Sequence, residues 1–193
     1  MAYIITILGA TVTIALLNFL YDGVYSFAAF GTLLFFTCLG VVAVIAIDGV
    51  VAFVVRRLPE RWFAPGKKCF SVPKWEKQLY RKLKINKWKK FVPELGCFTG
   101  FHKDKLQATD DTTYLARFLL ESNYGSLGHI FGAVLGFGIL WLPFLRPIGM
   151  GLPIAIVNFI LSMLPVFVLR AARPALTRLW QRAKAREQKE TGT

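Results

Sequence analysis

The sequence predicts an all-α, polytopic membrane protein with four transmembrane helices and amphipathic interfacial helices. Of its 193 residues, 55% are hydrophobic, and the mean hydropathy is +0.49. These values are typical of a chain that crosses a membrane and exceed those of ordinary soluble domains. Long uncharged runs also alternate with basic segments, and the formal net charge is +13. The length fits a single integral membrane domain over residues 1–193.

The first two spans are predicted at residues 3–20 and 26–55. A run as long as the first rises about 27 Å as a helix, which is close to the hydrocarbon thickness of a bilayer. It has neither a basic leader nor a small-residue cleavage site, so we expect a retained span. The second run is long enough to cross with tilt and ends at Arg56 and Arg57; one acid, Asp48, interrupts it.

Residues 56–117 form a basic segment in which aromatic residues are interleaved with lysine and arginine. Within it, residues 72–92 are predicted to be mostly helical, beginning at Pro73 with Glu76 in the first turn. A helix with aromatic residues on one face and cations on the other lies in the headgroup plane. Anionic lipid headgroups are therefore the expected partner, and no nucleic-acid-binding motif accompanies the charge.

The third and fourth spans are predicted at residues 128–145 and 152–169, followed by an amphipathic tail helix at residues 173–189. The basic segment 56–117 and the tail carry nearly all of the lysine and arginine. The positive-inside rule therefore predicts a multi-pass protein of the cell membrane with both termini in the cytoplasm.

The three cysteines give no sign of a metal or disulfide framework. Cys38, Cys69 and Cys97 are odd in number, and their spacings match neither a zinc site nor a set of paired bridges. We therefore predict no metal site and no bound cofactor.

Several short motifs follow one another in a specific order. They are Leu58-Pro59-x-x-Trp62-Phe63, Trp75-Glu76, Lys87-Trp88-Lys89, Glu121-x7-His129 and Arg170-x-x-Arg173-Pro174. In this order they resemble the glycosyl-diaponeurosporenoate acyltransferase family of bacterial membrane proteins, from about Leu58 to Leu179. The resemblance implies transfer of a fatty acyl group from a thioester donor, either acyl-CoA or an acyl carrier, to a hydroxyl of a lipid or glycolipid. Ser126 replaces the second acid of the family pattern, so the carotenoid acceptor is not carried over.

Three ionisable residues are the catalytic candidates. Acyl transfer to a hydroxyl needs a base, and His129, at the edge of the third span, titrates near neutrality. Glu121 or Asp48 would orient it, and both alternatives are open. In a continuous helix, Glu121 and His129 would lie about 12 Å apart along the axis, unless Gly125 and Gly128 break the helix. Ionisable groups at membrane depth commonly mark functional sites.

Six further residues are candidates for substrate binding: Glu76, Trp88, Lys89, Asn158, Arg170 and Arg173. The Lys87–Lys90 run either grips phosphates of coenzyme A or a lipid carrier, or simply attracts headgroups. Arg170 and Arg173 anchor the topology and are possible phosphate ligands, whereas Glu76 either binds substrate or pairs with lysine at a helix start. Asn158 is a structural partner for Asp48 if Asp48 is not catalytic. The other histidine, His102, is predicted to be a loop residue.

A second function class is a non-catalytic lipid-binding or assembly subunit of a membrane complex. The enzyme hypothesis expects Asp48, Glu121 and His129 to converge on a lipid-lined cavity. The subunit hypothesis expects these three groups to be paired separately.

Overall fold

The computed structural model describes residues 2–23, 25–92 and 111–191, and this part of the chain is helical. Short 3₁₀ or π turns at 68–70, 89–91, 136–141 and 147–151 join or extend the main helices. The α-helices are α1 (Ala2–Asp22), α2 (Phe27–Arg57), α3 (Glu60–Phe63), α4 (Lys74–Lys82), α5 (Ile85–Trp88), α6 (Thr112–Leu135) and α7 (Leu152–Thr191).

Four of these helical segments are long and apolar enough to cross a membrane: Tyr3–Asp22, Phe27–Arg57, Thr112–Trp141 and Pro147–Glu190. Large apolar side chains such as Ile5, Leu8 and Phe35 are exposed on α1 and α2. Lipid is the solvent that suits such faces, because apolar side chains are costly to leave in water. The prediction of an all-helical protein with four membrane-spanning helices is therefore confirmed.

The stretch 72–92, predicted to be mostly helical, contains two short helices, α4 and α5, followed by a 3₁₀ turn. Lys84 stands between α4 and α5 with φ of 51°, in the left-handed region. A single residue in this conformation ends one helix and redirects the chain into the next. The helical stretch is therefore divided in two at Lys84.

Two helices continue through residues that commonly interrupt a helix. Helix α6 runs through Gly125 and Gly128 without a break, so of the two alternatives considered for these glycines the structure has the continuous helix. Helix α7 likewise continues through Pro165 and Pro174, joining the fourth span to the tail. A proline inside a helix loses one backbone hydrogen bond. Buried Leu169 and Leu176 fix the backbone on either side of Pro174 by packing.

The chain divides into two compact units. The first contains residues 1–54 and 128–164. Its core is built from buried aliphatic side chains, with Ile14, Val44 and Ile139 among them. At one end Asn18 donates a hydrogen bond of 2.7 Å to the Gly149 carbonyl.

The second unit contains residues 55–127 and 165–193. Asp111 caps α6 by accepting hydrogen bonds from the backbone N–H groups of Thr113 and Tyr114, at 2.8 and 3.0 Å. Buried Phe63 stacks on Tyr124 with ring centroids 4.0 Å apart, and Tyr124 donates to the Leu58 carbonyl at 2.8 Å. These contacts fasten α3 and the start of the basic segment to α6.

Candidate active site

In the first unit, the acid in the second span faces a polar pair on α7. The Asn158 side-chain amide lies 3.4 Å from Oδ1 of Asp48, and the Ser162 hydroxyl also lies beside this carboxyl. Asn158 and Ser162 are buried. A carboxyl and an amide within a membrane span are costly to desolvate, so their association holds α2 and α7 in a defined register.

Two glycines make room for this polar group. An added Cβ at Gly132 would lie 2.6 Å from the Asp48 carboxyl oxygen, and one at Gly136 would lie 2.6 Å from the Asn158 amide nitrogen. The glycines are four residues apart, the spacing that lets helices approach closely in membranes. The Gly132–Gly136 notch therefore seats Asp48 and Asn158 directly against the helical backbone.

His129 lies on α6 in the same unit as this notch and is half-buried. It precedes Gly132 by three residues, so the two positions share one face of the helix, about 4.5 Å apart along its axis. The imidazole thus belongs to the helical turn next to the one that Asp48 contacts.

Glu121 belongs to the second unit, where two arginines hold its carboxylate. Arg56 contacts Oε2 at 2.9 Å and Arg117 contacts Oε1 at 2.8 Å, and the glutamate side chain is 13% exposed. Arg117 also pairs with Glu60 at 3.0 Å. Since both carboxylate oxygens accept from guanidinium groups, Glu121 ties the end of α2 to α6.

Glu76 is buried and forms a second polar cluster with Tyr80 and Arg170. The Tyr80 hydroxyl and the Arg170 Nε both donate to Oε1 of Glu76. A further Arg170 nitrogen donates to Oε2 at 2.7 Å. This two-point contact between a guanidinium and a carboxylate is a strong geometry, and it joins α4 to α7 within the second unit.

The environment of Glu76 changes its acidity. Burial alone would raise the pKa of this carboxyl, but the hydrogen bonds from Arg170 and Tyr80 outweigh burial and hold the pKa below its ordinary value. Burial and the bond to Glu76 raise the pKa of the Tyr80 hydroxyl. Glu76 is therefore a carboxylate at neutral pH, and Tyr80 is a neutral hydrogen-bond donor.

The remaining candidates for substrate binding have varied surroundings. Arg173 is buried, and its guanidinium lies 5.3 Å from the centre of the Phe70 ring. The Trp88 indole donates to the Leu83 carbonyl at 2.9 Å, while Lys89 is exposed. Trp88 thus supports the turn between α4 and α5.

The second unit also has a cleft of about 710 Å³, and of its cationic lining residues the sequence motifs indicated only Lys87. Its walls come from α4, α5 and α7, and its cationic lining residues are Lys74, Lys77, Arg81, Lys84, Lys87 and Arg178. The spacing of Lys74, Lys77 and Arg81 on one face of a helix could have signalled it. The contribution of Arg178 depends on the tertiary fold.

Some sequence predictions fall outside the described residues, among them those for His102 and Cys97. Cys38 and Cys69 are free thiols. Within residues 2–23, 25–92 and 111–191, no three His, Cys, Asp or Glu side chains group together as metal ligands.

These features define an integral membrane protein with four spans. A polar site lies within the spans of the first unit, and the second unit contains a basic cleft. The family model for glycosyl-4,4'-diaponeurosporenoate acyltransferase matches residues 59–182, and the chain belongs to this family of membrane acyltransferases. The match includes His129, Glu121, Glu76 and Asn158, whereas Asp48 precedes it. Neither the curated proteins nor the solved structures contain a match to the chain.

Proposed function

We propose that the protein transfers a fatty acyl group from a thioester donor to a hydroxyl of a lipid or glycolipid at the cytoplasmic leaflet. Membership of an acyltransferase family supports the class of reaction. The single structural observation that carries the proposal is the association of Asp48, Asn158 and the Gly132–Gly136 notch one helical turn from His129.

In the proposed reaction, His129 is the general base. It takes the proton of the acceptor hydroxyl as the hydroxyl oxygen attacks the thioester carbonyl. The tetrahedral intermediate collapses, the carbon–sulfur bond breaks, and His129 returns the proton to the departing thiolate. An amide donor such as Asn158 is suited to the developing oxyanion, since its N–H carries no charge to desolvate.

We infer that Asp48, and not Glu121, is the partner that orients His129. Asp48 packs against α6 at Gly132, in the same unit as the histidine. Both oxygens of Glu121 accept from arginines in the other unit. Glu121 is then a positioning residue for α6.

The proposed leaflet follows from charge. The basic segment 56–117 and the tail are expected on the cytoplasmic side, where thioester donors are made and where anionic headgroups attract cations.

A non-catalytic lipid-binding or assembly subunit is the second candidate. The pairing of Glu121 with arginines and of Asp48 with Asn158 favours it, because both pairs also serve as structural contacts.

A lipid analysis with two histidine variants tests the enzyme proposal. We expect cells that express the wild-type chain to contain an acylated lipid that control cells lack, detected by mass spectrometry. His129→Ala should abolish this product, with purified variant protein of unchanged yield and thermal stability. His102→Ala, a change at the other histidine, is the matched control and should retain the product.

The outcomes separate the two candidates. If no acylated species depends on the wild-type chain, the subunit hypothesis replaces the enzyme. If purified His129→Ala turns over like the wild type, His129 is not the base.

A further inference from the structure

None of the three catalytic candidates, His129, Glu121 and Asp48, lines the cleft in the second unit. Six of its lining residues are cationic, namely Lys74, Lys77, Arg81, Lys84, Lys87 and Arg178, and none of its lining residues is acidic. In the part of the chain that the structure describes, none of these six side chains forms a salt bridge. The cleft therefore concentrates positive charge without an internal counterion.

The fold brings these cations together from three helices. Lys74, Lys77 and Arg81 lie on one face of α4 because they are spaced by three and four residues. Lys84, in its left-handed conformation, turns the chain so that Lys87 on α5 faces the same cleft. This conformation is disfavoured for a residue with a side chain, and such strain is concentrated at functional positions.

The cleft also has the volume and lining of a small-molecule site. Its volume of about 710 Å³ lies within the range of about 300–1,000 Å³ typical of ligand pockets. Buried Tyr80 and Ile85 line it together with Ala171 and Pro174 from α7. A surface that only attracts lipid headgroups needs no apolar recess of this kind.

We propose that the cleft binds the phosphate groups of a nucleotide-type acyl donor, a coenzyme A thioester; this assignment rests on the acyl transfer proposed above. Lysine and arginine are the side chains that bind phosphate through charge-assisted hydrogen bonds. A phosphatidylglycerol headgroup brings a single phosphate, whereas coenzyme A brings several, which suits a cleft with six cationic lining residues. Gln78 and Asn86, which also line the cleft, supply neutral donors and acceptors for the rest of the carrier.

Binding of coenzyme A to the full-length protein in zwitterionic lipid nanodiscs tests this assignment. The cleft variant carries Arg81→Gln, Lys84→Gln and Arg178→Gln. We expect its dissociation constant for coenzyme A to rise at least about tenfold, since loss of one charge-assisted bond has that effect.

A charge-matched control separates a site from diffuse attraction. It carries Lys67→Gln, Lys68→Gln and Arg182→Gln, which are exposed residues outside the cleft lining and remove the same net charge. We expect the control to bind coenzyme A within about threefold of the wild type. Equal weakening in the two variants would overturn the assignment.

Competitors identify the source of the phosphate. Pantetheine, which has no phosphate, should fail to displace coenzyme A when the two are present at equal concentration. A short-chain phosphatidylglycerol should fail as well. Displacement by the phosphatidylglycerol would make the headgroup the occupant, and displacement by pantetheine would show that phosphates do not hold the ligand; either result refutes the proposal.

Kinetics distinguish failure of the cleft assignment from failure of acyl transfer. Activity is measured with an acyl-CoA and with the same acyl group on N-acetylcysteamine, a thiol without phosphate. In the cleft variant, the KM for acyl-CoA should rise relative to the KM for the small thioester. If the cleft variant turns over both thioesters and the ratio of their KM values is unchanged, the cleft assignment is refuted and the acyl transfer proposal stands. Phosphate-dependent binding of coenzyme A without any turnover would refute acyl transfer and leave the cleft assignment in place.

Discussion

At the scale of single residues, the polar site inside the spans depends on two positions without a side chain. The Asp48 carboxyl and the Asn158 amide occupy the space that a Cβ would fill at Gly132 and Gly136. These two groups are the ends of side chains that contact each other at 3.4 Å, so displacing either one disturbs the other. The notch therefore fixes where the carboxyl lies along α6, and with it the register of α2 against α6.

The first prediction concerns Gly132. Gly132→Ala should destabilise the protein by about 1–3 kcal/mol, because the new Cβ forces the Asp48 carboxyl and its partner Asn158 out of position. Thermal unfolding of the purified protein in detergent measures this effect as a lower Tm.

Gly128→Ala is the matched control on the same helix. An added Cβ there meets no atom within 4 Å. We expect its Tm to equal or exceed that of the wild type, since alanine favours a helix over glycine. Equal Tm values for the two variants would contradict the close approach at Gly132.

At the scale of helices, the short helix α4 is held to α7 mainly by its glutamate. The Glu76 carboxylate receives Arg170 through two nitrogens and Tyr80 through its hydroxyl. Tyr80 and Ile85 also pack against Phe167 and Val168 of α7. Since α4 is only 9 residues long, it owes its stability to these contacts more than to its own backbone bonds.

The second prediction follows from the acidity of Glu76. Its folded pKa lies below the ordinary value of 4.5, so the carboxylate stabilises the fold fully above that pH and loses this effect as the pH falls through the folded pKa. Glu76→Gln should destabilise the protein by about 3 kcal/mol at neutral pH, because it leaves Arg170 without its counterion. The difference in Tm between the wild type and the variant should shrink on acidification below pH 4.5.

Glu60→Gln is the control for this pH series. Glu60 also pairs with an arginine, but its side chain is 67% exposed, and an exposed pair contributes less than about 1 kcal/mol. We expect its Tm to follow that of the wild type at each pH. A Glu76→Gln difference that stays constant from neutral to acidic pH would exclude a role for the carboxylate charge.

At the scale of the whole molecule, charge and hydropathy define how the chain lies in a membrane. Four apolar segments alternate with polar stretches, and the stretches rich in arginine and lysine are residues 56–117 and the tail. The only lysine or arginine between the third and fourth spans, Arg146, pairs with Asp22 at the end of α1. The positive-inside rule then predicts that both termini lie in the cytoplasm.

The third prediction tests this orientation with a membrane-impermeant maleimide. A variant that keeps only Cys69, with Cys38→Ser and Cys97→Ser, should stay unlabelled in intact cells and react after permeabilisation. Cys69 is exposed, so burial does not prevent its reaction.

A cysteine on the opposite side provides the comparison. Tyr25, between α1 and α2, is 70% exposed, and Tyr25→Cys in a background without other cysteines should react in intact cells. If Cys69 is labelled in intact cells and the cysteine at position 25 is protected, the orientation of the protein is the opposite of the one predicted.

The sequence alone determined the class of fold, the number of spans and the family. Hydropathy and charge are properties of neighbouring residues taken together. They set the free energy of transferring a whole segment into lipid, where the backbone must also form its own hydrogen bonds. The motifs from Leu58 to Leu179 keep their order along the chain, so the family could be named before any contact was known.

Only the tertiary structure decided which polar groups meet. Glu121 and Asp48 were equivalent candidates in sequence, yet Glu121 binds two arginines and Asp48 enters the glycine notch. The pairing of Glu76 with Arg170 and the addition of Arg178 to the basic cleft join residues about a hundred positions apart. Such contacts depend on how helices pack, and packing is set by shape at particular positions, which composition and periodicity do not encode.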